Sequence, residues 1–191
     1  ARAPNLKPAA APILLARHGE TPDNAAGRIL GRRDPPLSAA GVSQAERLGR
    51  TLADAGLVGL WTSPLQRARQ TAEIAGAVLG LRPVVLDELV ESARGEWEGQ
   101  AVARIRGQDP DAHAAFVRGD PGFAFPGGES LRSQRDRTRT ALEIVASAGV
   151  PALVVAHAGT IRAALALWGR ALPPEAALAH GEVVAVLGPG G

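Results

Sequence analysis

Apolar residues fall along this chain in two rhythms. Five short runs, at 13–16, 57–61, 83–86, 152–156 and 183–187, are nearly all apolar, which is how strands buried on both faces read. Longer stretches between them repeat an apolar residue every three or four positions, the spacing that lines one face of a helix. Strands alternating with helices predict an α/β domain with a mostly parallel sheet.

Three helices carry end signals. The first follows Ser38, with Val42, Ala45, Leu48, Leu52 and Ala55 on its inner face and Gly56 as a left-handed stop. The second opens at Ser63-Pro64-Leu65-Gln66, a capping box with proline at the first helical position; Leu65, Ala68, Ala72, Ala75 and Leu79 form its buried stripe before Gly80. The third runs from about Gly128 to Ser147 with Leu131, Thr138, Leu142 and Val145 inward, and Glu129 in its first turn suits a helix N-terminus. Residues 98–120 have helical spacing broken by glycine and proline, and are expected to form an excursion beside the sheet.

The 191 residues, 46% apolar and 21% charged, have the balance of a folded globular chain. At this length one core can remove roughly 70% of the unfolded surface from water without staples. A single domain over 1–191 is therefore expected, with 1–12 and 188–191 as frayed ends. Cysteine, methionine and tyrosine are absent, which excludes disulfides, thiolate metal sites and a cysteine nucleophile and fits a reducing compartment. No apolar run approaches the ~20 residues of a membrane span, and the start lacks the apolar core of a signal peptide. A cytoplasmic protein with no membrane partner is the expectation. The pI near 10.3 invites a nucleic-acid reading, but the net charge is only +2. Lys7 is the single lysine; with no tyrosine or cysteine to ionise, a small positive excess lasts until Lys7 titrates at ~10.4. The arginines are scattered among 19 acids without a basic stripe, so no nucleic-acid partner is expected.

In sheets of this kind ligands bind beyond the carboxyl ends of the strands. Arg17, His18, Gly19, Glu20 and Thr21 follow the first run; Thr62, Ser63 and Arg67 follow the second; Asp87, Glu88 and Glu91 the third; His157, Ala158, Gly159 and Thr160 the fourth. Each alone has an ordinary reading as a hydrogen-bonded loop residue. Together, two imidazoles and two guanidiniums on one rim make a cationic pocket suited to a tetrahedral dianion, with arginine forks matching phosphate oxygens. A metal is the competing use of two histidines, but no His-x-His, His-Glu-x-x-His or clustered aspartate spacing occurs, so no metal site is expected. His113 and His180 are most simply surface residues.

At these residues the chain resembles a known family. Leu15-Ala16-Arg17-His18-Gly19-Glu20-Thr21, with Asn24, Arg28 and Gly31 following, is similar to the opening of the histidine phosphatase superfamily, in the branch containing the cofactor-dependent phosphoglycerate mutases. Ser63-Pro64-Leu65-Gln66-Arg67-Ala68-Arg69-Gln70-Thr71 resembles its second motif, and Leu89-Val90-Glu91 with Gly95-Glu96-Trp97-Glu98-Gly99 the stretch bearing its acid. Pro126-Gly127-Gly128-Glu129-Ser130 and the segment from Val154 to Arg162 resemble its late motifs. Five motifs in order, from about 13 to 187, are a specific match where an Arg-His-Gly triplet is not.

The resemblance implies a three-layer αβα sandwich, phosphoglycerate-mutase-like, and an enzyme without a cofactor. It implies His18 as nucleophile, with Arg17, Arg67 and His157 holding the phosphoryl oxygens and Asn24 assisting; Gly31 and Ala158 join the substrate-binding set. Glu91 would protonate the leaving alkoxide and then activate water, which calls for a raised pKa. Glu88, Glu96 and Glu98 are rivals set aside on spacing to Gly95 alone, and Glu20 is read as orienting its loop. Three departures bear on the reaction. Ala158 stands where the acid-phosphatase and phytase branch has aspartate, and Asp23 where many relatives have tryptophan. The stretch 100–122 lacks the Tyr- and Lys-bearing clamp with which a mutase encloses phosphoglycerate. Hydrolysis of a small-molecule phosphomonoester is the reading. A 2,3-bisphosphoglycerate-dependent mutase, an α-ribazole-phosphate-type phosphatase and a non-catalytic phosphate-binding module stand as alternatives, with oligomeric state open.

Overall fold

The computed structural model describes residues 11–170, 172 and 177–188. Its strands are β1 (Ile13–Arg17), β2 (Gly59–Thr62), β3 (Val84–Val85), β4 (Ala152–Ala156) and β5 (Val183–Leu187), in the sheet order β3-β2-β4-β1-β5. β1 to β4 are parallel and β5 is antiparallel to β1. The helices are α1 (Pro22–Ala25), α2 (Ala39–Thr51), α3 (Gln66–Leu79), α4 (Val102–Gln108), α5 (Pro110–Val117), α6 (Leu131–Ser147) and α7 (Ala158–Leu167).

The period of two along a strand divides the core. On β4, Ala152, Val154 and Ala156 join Leu142, Val145, Ile161 and Leu165 on the α6/α7 face. Leu153 and Val155 join Leu48, Ala68, Ala72 and Ala75 on the α2/α3 face. The result is a three-layer α/β sandwich, and all of β4 is buried, which is why its run shows no polar alternation. β3 is the opposite case. Only two residues long with both exposed, it is an edge strand after Pro83, which has no N–H for a ladder.

Several element ends differ from the sequence expectation for local reasons. β2 starts at Gly59, and Val58 lies 60% exposed. Ser38 caps α2 by accepting from Gly41 N, but the helix stops at Thr51; Gly56, at φ +64°, ends the turn that follows, and Val42 and Ala55 are exposed. α3 starts at Gln66 with Leu65 as an N-cap that makes no side-chain bond, so the box expected at Ser63 is not formed: the Ser63 hydroxyl is engaged by His157. α6 starts at Leu131, capped by Ser130. Glu129 lies ahead of it, and its carboxylate holds Arg137 (2.8 and 3.0 Å) and the N–H of Ala93 (3.3 Å) in place of a dipole role. Pro12 O accepts from Ala152 N at 3.0 Å, so the chain is tied down from there. Of the ends expected to fray, 1–10 and 189–191 lie outside the described residues.

The excursion carries α4 and α5 and builds a satellite core. All three phenylalanines of the chain, Phe116, Phe123 and Phe125, gather with Trp97, Ile29 and Ile105, ring centroids 5.0–6.0 Å apart. This cluster stands beside the carboxyl ends of β1 and β4. Those strands are neighbours, yet the chain leaves β1 toward the α2/α3 face and β4 toward the α6/α7 face. A crevice at such a reversal is where open α/β sheets place a ligand.

Candidate active site

His18 follows β1 and His157 follows β4, and the register Arg17↔Ala156 brings their rings to a centroid distance of 5.2 Å. His18 Nδ1 lies 2.7 Å from Gly19 O. A carbonyl only accepts, so the proton is on Nδ1 and Nε2 carries the lone pair. Arg67 Nε donates to that Nε2 at 3.2 Å, consistent with the same tautomer. Burial, then His157, Arg67 and Arg17, hold the His18 pKa well below the usual range. The ring is a neutral imidazole at neutral pH with its free nitrogen facing arginine.

Arg67 is 1% exposed. Its charge is accommodated by carbonyls, NH1 donating to Arg33 O (2.7 Å) and NH2 to Gly31 O (2.9 Å), with Asp34 at 3.9 Å. Gly31 has φ +55°, and a Cβ there would run into the Glu98 carboxylate, so only glycine presents its carbonyl to Arg67 this way. Arg17 NH1 donates to Leu178 O at 2.7 Å, and its Nε is buried with no partner. Burial lowers the Arg17 pKa to about 10, with Arg67, Arg94 and Arg162 adding to the effect against Glu91. Both guanidiniums stay charged at neutral pH.

Glu91 is nearly buried and heavily coordinated. Oε1 accepts from Ser92 N (2.8 Å), Ser92 Oγ (3.2 Å) and Gln134 Nε2 (2.7 Å); Oε2 accepts from Gly159 N (3.0 Å), with Arg94 NH2 at 3.6 Å. Gly159 lies in the first turn of α7, and a Cβ on it would collide with Glu91 Oε1. Burial alone would raise this carboxyl. Arg94, the N–H groups of Ser92 and Gly159, and Arg67 outweigh it and hold the pKa below the usual value. The raised pKa expected for an acid is thus reversed, because the sequence offers the carboxylate but not its donors.

The structure brings Arg17, His18, Arg67, His157 and Glu91 together, and Asn24, Gly31 and Ala158 line the same cavity. Asn24 Oδ1 is committed to Thr21 (3.0 and 3.2 Å), leaving its Nδ2 hydrogens as the end that can meet an anion. The rival acids sit elsewhere: Glu98 ties Arg32 N and Arg94 N together, Glu96 is exposed, and Glu88 is half-buried without lining the cavity. Glu20 accepts from Ser38 Oγ at 2.9 Å, orienting its loop as expected. His113 lies on α5 outside the cavity lining. His180 is half-buried rather than an ordinary surface residue. Antiparallel β5 returns the chain along β1, so the His180 ring lies tilted beside that of His18, centroids 5.4 Å apart, and its Nδ1 donates to His18 O at 3.1 Å.

Arg94 and Gln134 were not legible as site residues. Arg94 lies against Phe116 and Phe125, 4.9 Å from each ring centroid, and faces Glu91. Arg137 donates to the carbonyls of Glu88 (2.9 Å) and Val90, fixing the backbone that presents Glu91. An arginine three residues after the acid, and Gln134 among the buried positions of α6, were the only signals available. The cavity encloses about 620 Å³, with Arg28, Arg118, Arg135 and Arg162 lining it in addition to the inner arginines, and Glu91 its one lining carboxylate among the described residues. Ile29, Leu30, Phe116, Val117, Leu131 and Leu172 give it an apolar side. Among the described residues no group of His, Cys, Asp and Glu is placed to hold a metal ion, and no helix is long and apolar enough to cross a membrane.

Burying neutral histidines has a cost in acid. Burial is the first cause that lowers the pKa of His18, His157 and His180, the last to about 4. Above the unfolded value of ~6.5 both states are neutral and nothing is lost. Below it the unfolded chain takes up protons that the folded state refuses, so stability falls as pH drops from ~6.5 toward 4, by up to ~1.4 kcal/mol per pH unit for each fully buried ring. Urea midpoints measured from pH 7.5 to 4.5 should decline over that window; a flat profile would contradict neutral burial.

Residues 13–185 match the histidine phosphatase superfamily (branch 1). The chain is 37% identical over 158 residues to the bifunctional protein Rv2228c of Mycobacterium tuberculosis, covering 81% of this chain and 43% of that protein. It therefore spans about two-fifths of the length of the first curated relatives it matches. It is 33% identical to a probable phosphoglycerate mutase of Yersinia enterocolitica, covering 86% of this chain and 77% of the relative. Among solved structures it is similar to a mycobacterial glucosyl-3-phosphoglycerate phosphatase in complex with VO3, at TM-score 0.78 and 31% identity, covering 89% and 87% of the two chains.

Proposed function

The chain belongs to branch 1 of the histidine phosphatase superfamily, and on that premise we propose that it is a phosphomonoester hydrolase working through a phosphohistidine at His18. The observation that carries the reading is the unprotonated His18 Nε2 beside buried Arg67, among Arg17, His157 and Glu91. Nε2 attacks phosphorus, the P–O bond to the alcohol breaks, and the alcohol oxygen leaves with a proton from Glu91. Water then attacks the phosphohistidine, Glu91 takes a proton from it, and the N–P bond breaks to return the imidazole and release phosphate. Phosphoryl transfer needs little covalent help beyond this. Donors around the equatorial oxygens supply most of the stabilisation, a role that falls to Arg17, Arg67, His157 and the Nδ2 end of Asn24.

The mutase reading is supported by the resemblance to a probable phosphoglycerate mutase. A mutase must shield its phosphohistidine from water and retain a bisphosphate. The excursion here brings Phe116, Val117, Arg118 and Gly119 to the cavity, an apolar wall with one cation. A space of about 620 Å³ is within the range that holds a drug-sized molecule, which favours a substrate whose alcohol is larger than three carbons with apolar surface.

Hydrolysis of p-nitrophenyl phosphate is expected to continue in EDTA and to be inhibited by vanadate, which mimics five-coordinate phosphorus. Activity lost in EDTA and restored by a divalent ion would overturn the mechanism. Given 3-phosphoglycerate and a trace of 2,3-bisphosphoglycerate, the protein is expected to release phosphate faster than it forms 2-phosphoglycerate; the reverse order would establish the mutase. A panel of phosphomonoesters, from glycerol phosphates to nucleoside and α-ribazole 5′-phosphates, then ranks the alcohol.

A further inference from the structure

His157 is 1% exposed and Ser63 fully buried, and His157 Nε2 lies 2.7 Å from Ser63 Oγ. Ser63 Oγ also accepts from Leu65 N at 3.3 Å, the contact left over from the helix cap that the serine does not make. The other ring nitrogen, His157 Nδ1, is buried with no partner at all. A neutral imidazole has one proton to place, and the two placements are not equivalent. With the proton on Nε2, Ser63 Oγ would accept twice and its own hydrogen would have no acceptor among the described residues, while Nδ1 would present a lone pair to an anion. With the proton on Nδ1, the hydroxyl accepts from Leu65 and donates to Nε2, every group around Ser63 is satisfied, and the orphan Nδ1 is a donor.

We propose that Ser63 is a positioning residue for His157, its hydroxyl hydrogen fixing the imidazole proton on Nδ1, where it donates to an oxygen of the transferring phosphoryl group. The same logic operates at His18, where Gly19 O fixes the proton on Nδ1 so that Nε2 can attack. The two rings of the pair thus face the phosphorus with opposite equipment: one lone pair and one hydrogen. Burial together with Arg67 and Arg17 keeps His157 from taking a second proton, so the tautomer decides what it offers. The donation to phosphoryl oxygen rests on the hydrolase reading; the tautomer does not.

Histidine-15N NMR on the full chain separates the two. The His157 resonances, identified by their loss in His157→Asn, are expected to show a protonated Nδ1 and an unprotonated Nε2 without any substrate. In Ser63→Ala the ring is expected to populate both tautomers, kcat for p-nitrophenyl phosphate to fall by roughly 10- to 10³-fold, and vanadate to bind more weakly. Ser63→Thr, which keeps the hydroxyl, is expected to restore the Nδ1 tautomer and most of the rate. A wild-type ring protonated at Nε2, or a Ser63→Ala protein with unchanged tautomer and rate, would overturn the proposal. The expected tautomer in a protein that hydrolyses no phosphomonoester would leave Ser63 as its setter and remove the hydrolase reading instead.

Discussion

His18→Ala is expected to lose at least about 10⁴-fold in kcat on every phosphomonoester while keeping its fold, the largest effect of any single change proposed for this chain. The size follows from covalency: without Nε2 there is no phosphoryl acceptor, and water would have to attack directly in a pocket arranged for imidazole. Retention of fold follows from position. His18 stands past the end of β1, and its ring contacts are Gly19 O, Arg67 and two other histidines rather than either hydrophobic core. Removing it leaves Arg67 anchored by the carbonyls of Arg33 and Gly31, so the phosphate site should survive and vanadate binding should weaken rather than vanish. Rapid quench with phosphoryl-labelled substrate is expected to trap an acid-labile, base-stable adduct on His18 in the wild type. An adduct at Ser63 or His157, or a His18→Ala enzyme within tenfold of wild type, would reject the nucleophile.

What the residue pattern revealed, and what it hid, divides along the range of the interactions. β4 was readable because five consecutive apolar residues are buried on both faces, and Gly80 because a left-handed C-cap is local to its own turn. The start of α3 is the opposite case. Ser63 has the spacing of a capping box, but its hydroxyl is drawn to His157, 94 residues away, and no local rule registers such a competitor. His180 reads as a surface residue because its neighbours in sequence are unremarkable; only the antiparallel return of β5 brings it beside His18. Arg94 and Gln134 were hidden likewise, since a side chain that acts by contacting Glu91 carries no signal until the backbone places it there.

The Glu91 environment is the point at which long-range placement changes the chemistry. A carboxylate accepting from two backbone N–H groups and facing Arg94 is ionised in the free enzyme. It therefore lacks the proton that the leaving alcohol needs. A phosphomonoester has its own titration, with a second pKa of ~6. A substrate binding as the monoanion brings the proton with it, and the arriving phosphoryl charge favours moving that proton onto Glu91. In the proposed cycle the low pKa then serves the second half, in which Glu91 acts as a base toward water. On the proposed mechanism, tight coordination and an acid role are compatible when the substrate carries the proton in.

Glu91→Gln is accordingly expected to harm substrates unequally. An alkoxide leaves poorly unless protonated in the transition state, whereas p-nitrophenolate is a stable anion. Single-turnover phosphorylation of His18 should slow by about 10²-fold or more with an alkyl phosphate and clearly less with p-nitrophenyl phosphate. Single turnover matters, because loss of the base also slows dephosphorylation and would level the two at steady state. In the wild type, kcat/KM for an alkyl phosphate should fall as pH rises above ~6, where the substrate loses the proton it carries. p-Nitrophenyl phosphate should show a shallower decline. Glutamine keeps the shape of the carboxylate and its Oε1 acceptor but sets an NH2 where Oε2 accepted from Gly159 N and faced Arg94, so a uniform loss on both substrates would mark that disturbance rather than a missing acid. Glu88→Gln, Glu96→Gln and Glu98→Gln are expected to show no asymmetry. If one of them does while Glu91→Gln does not, that residue is the proton donor and the bonds from Gln134, Ser92 and Gly159 serve a structural carboxylate.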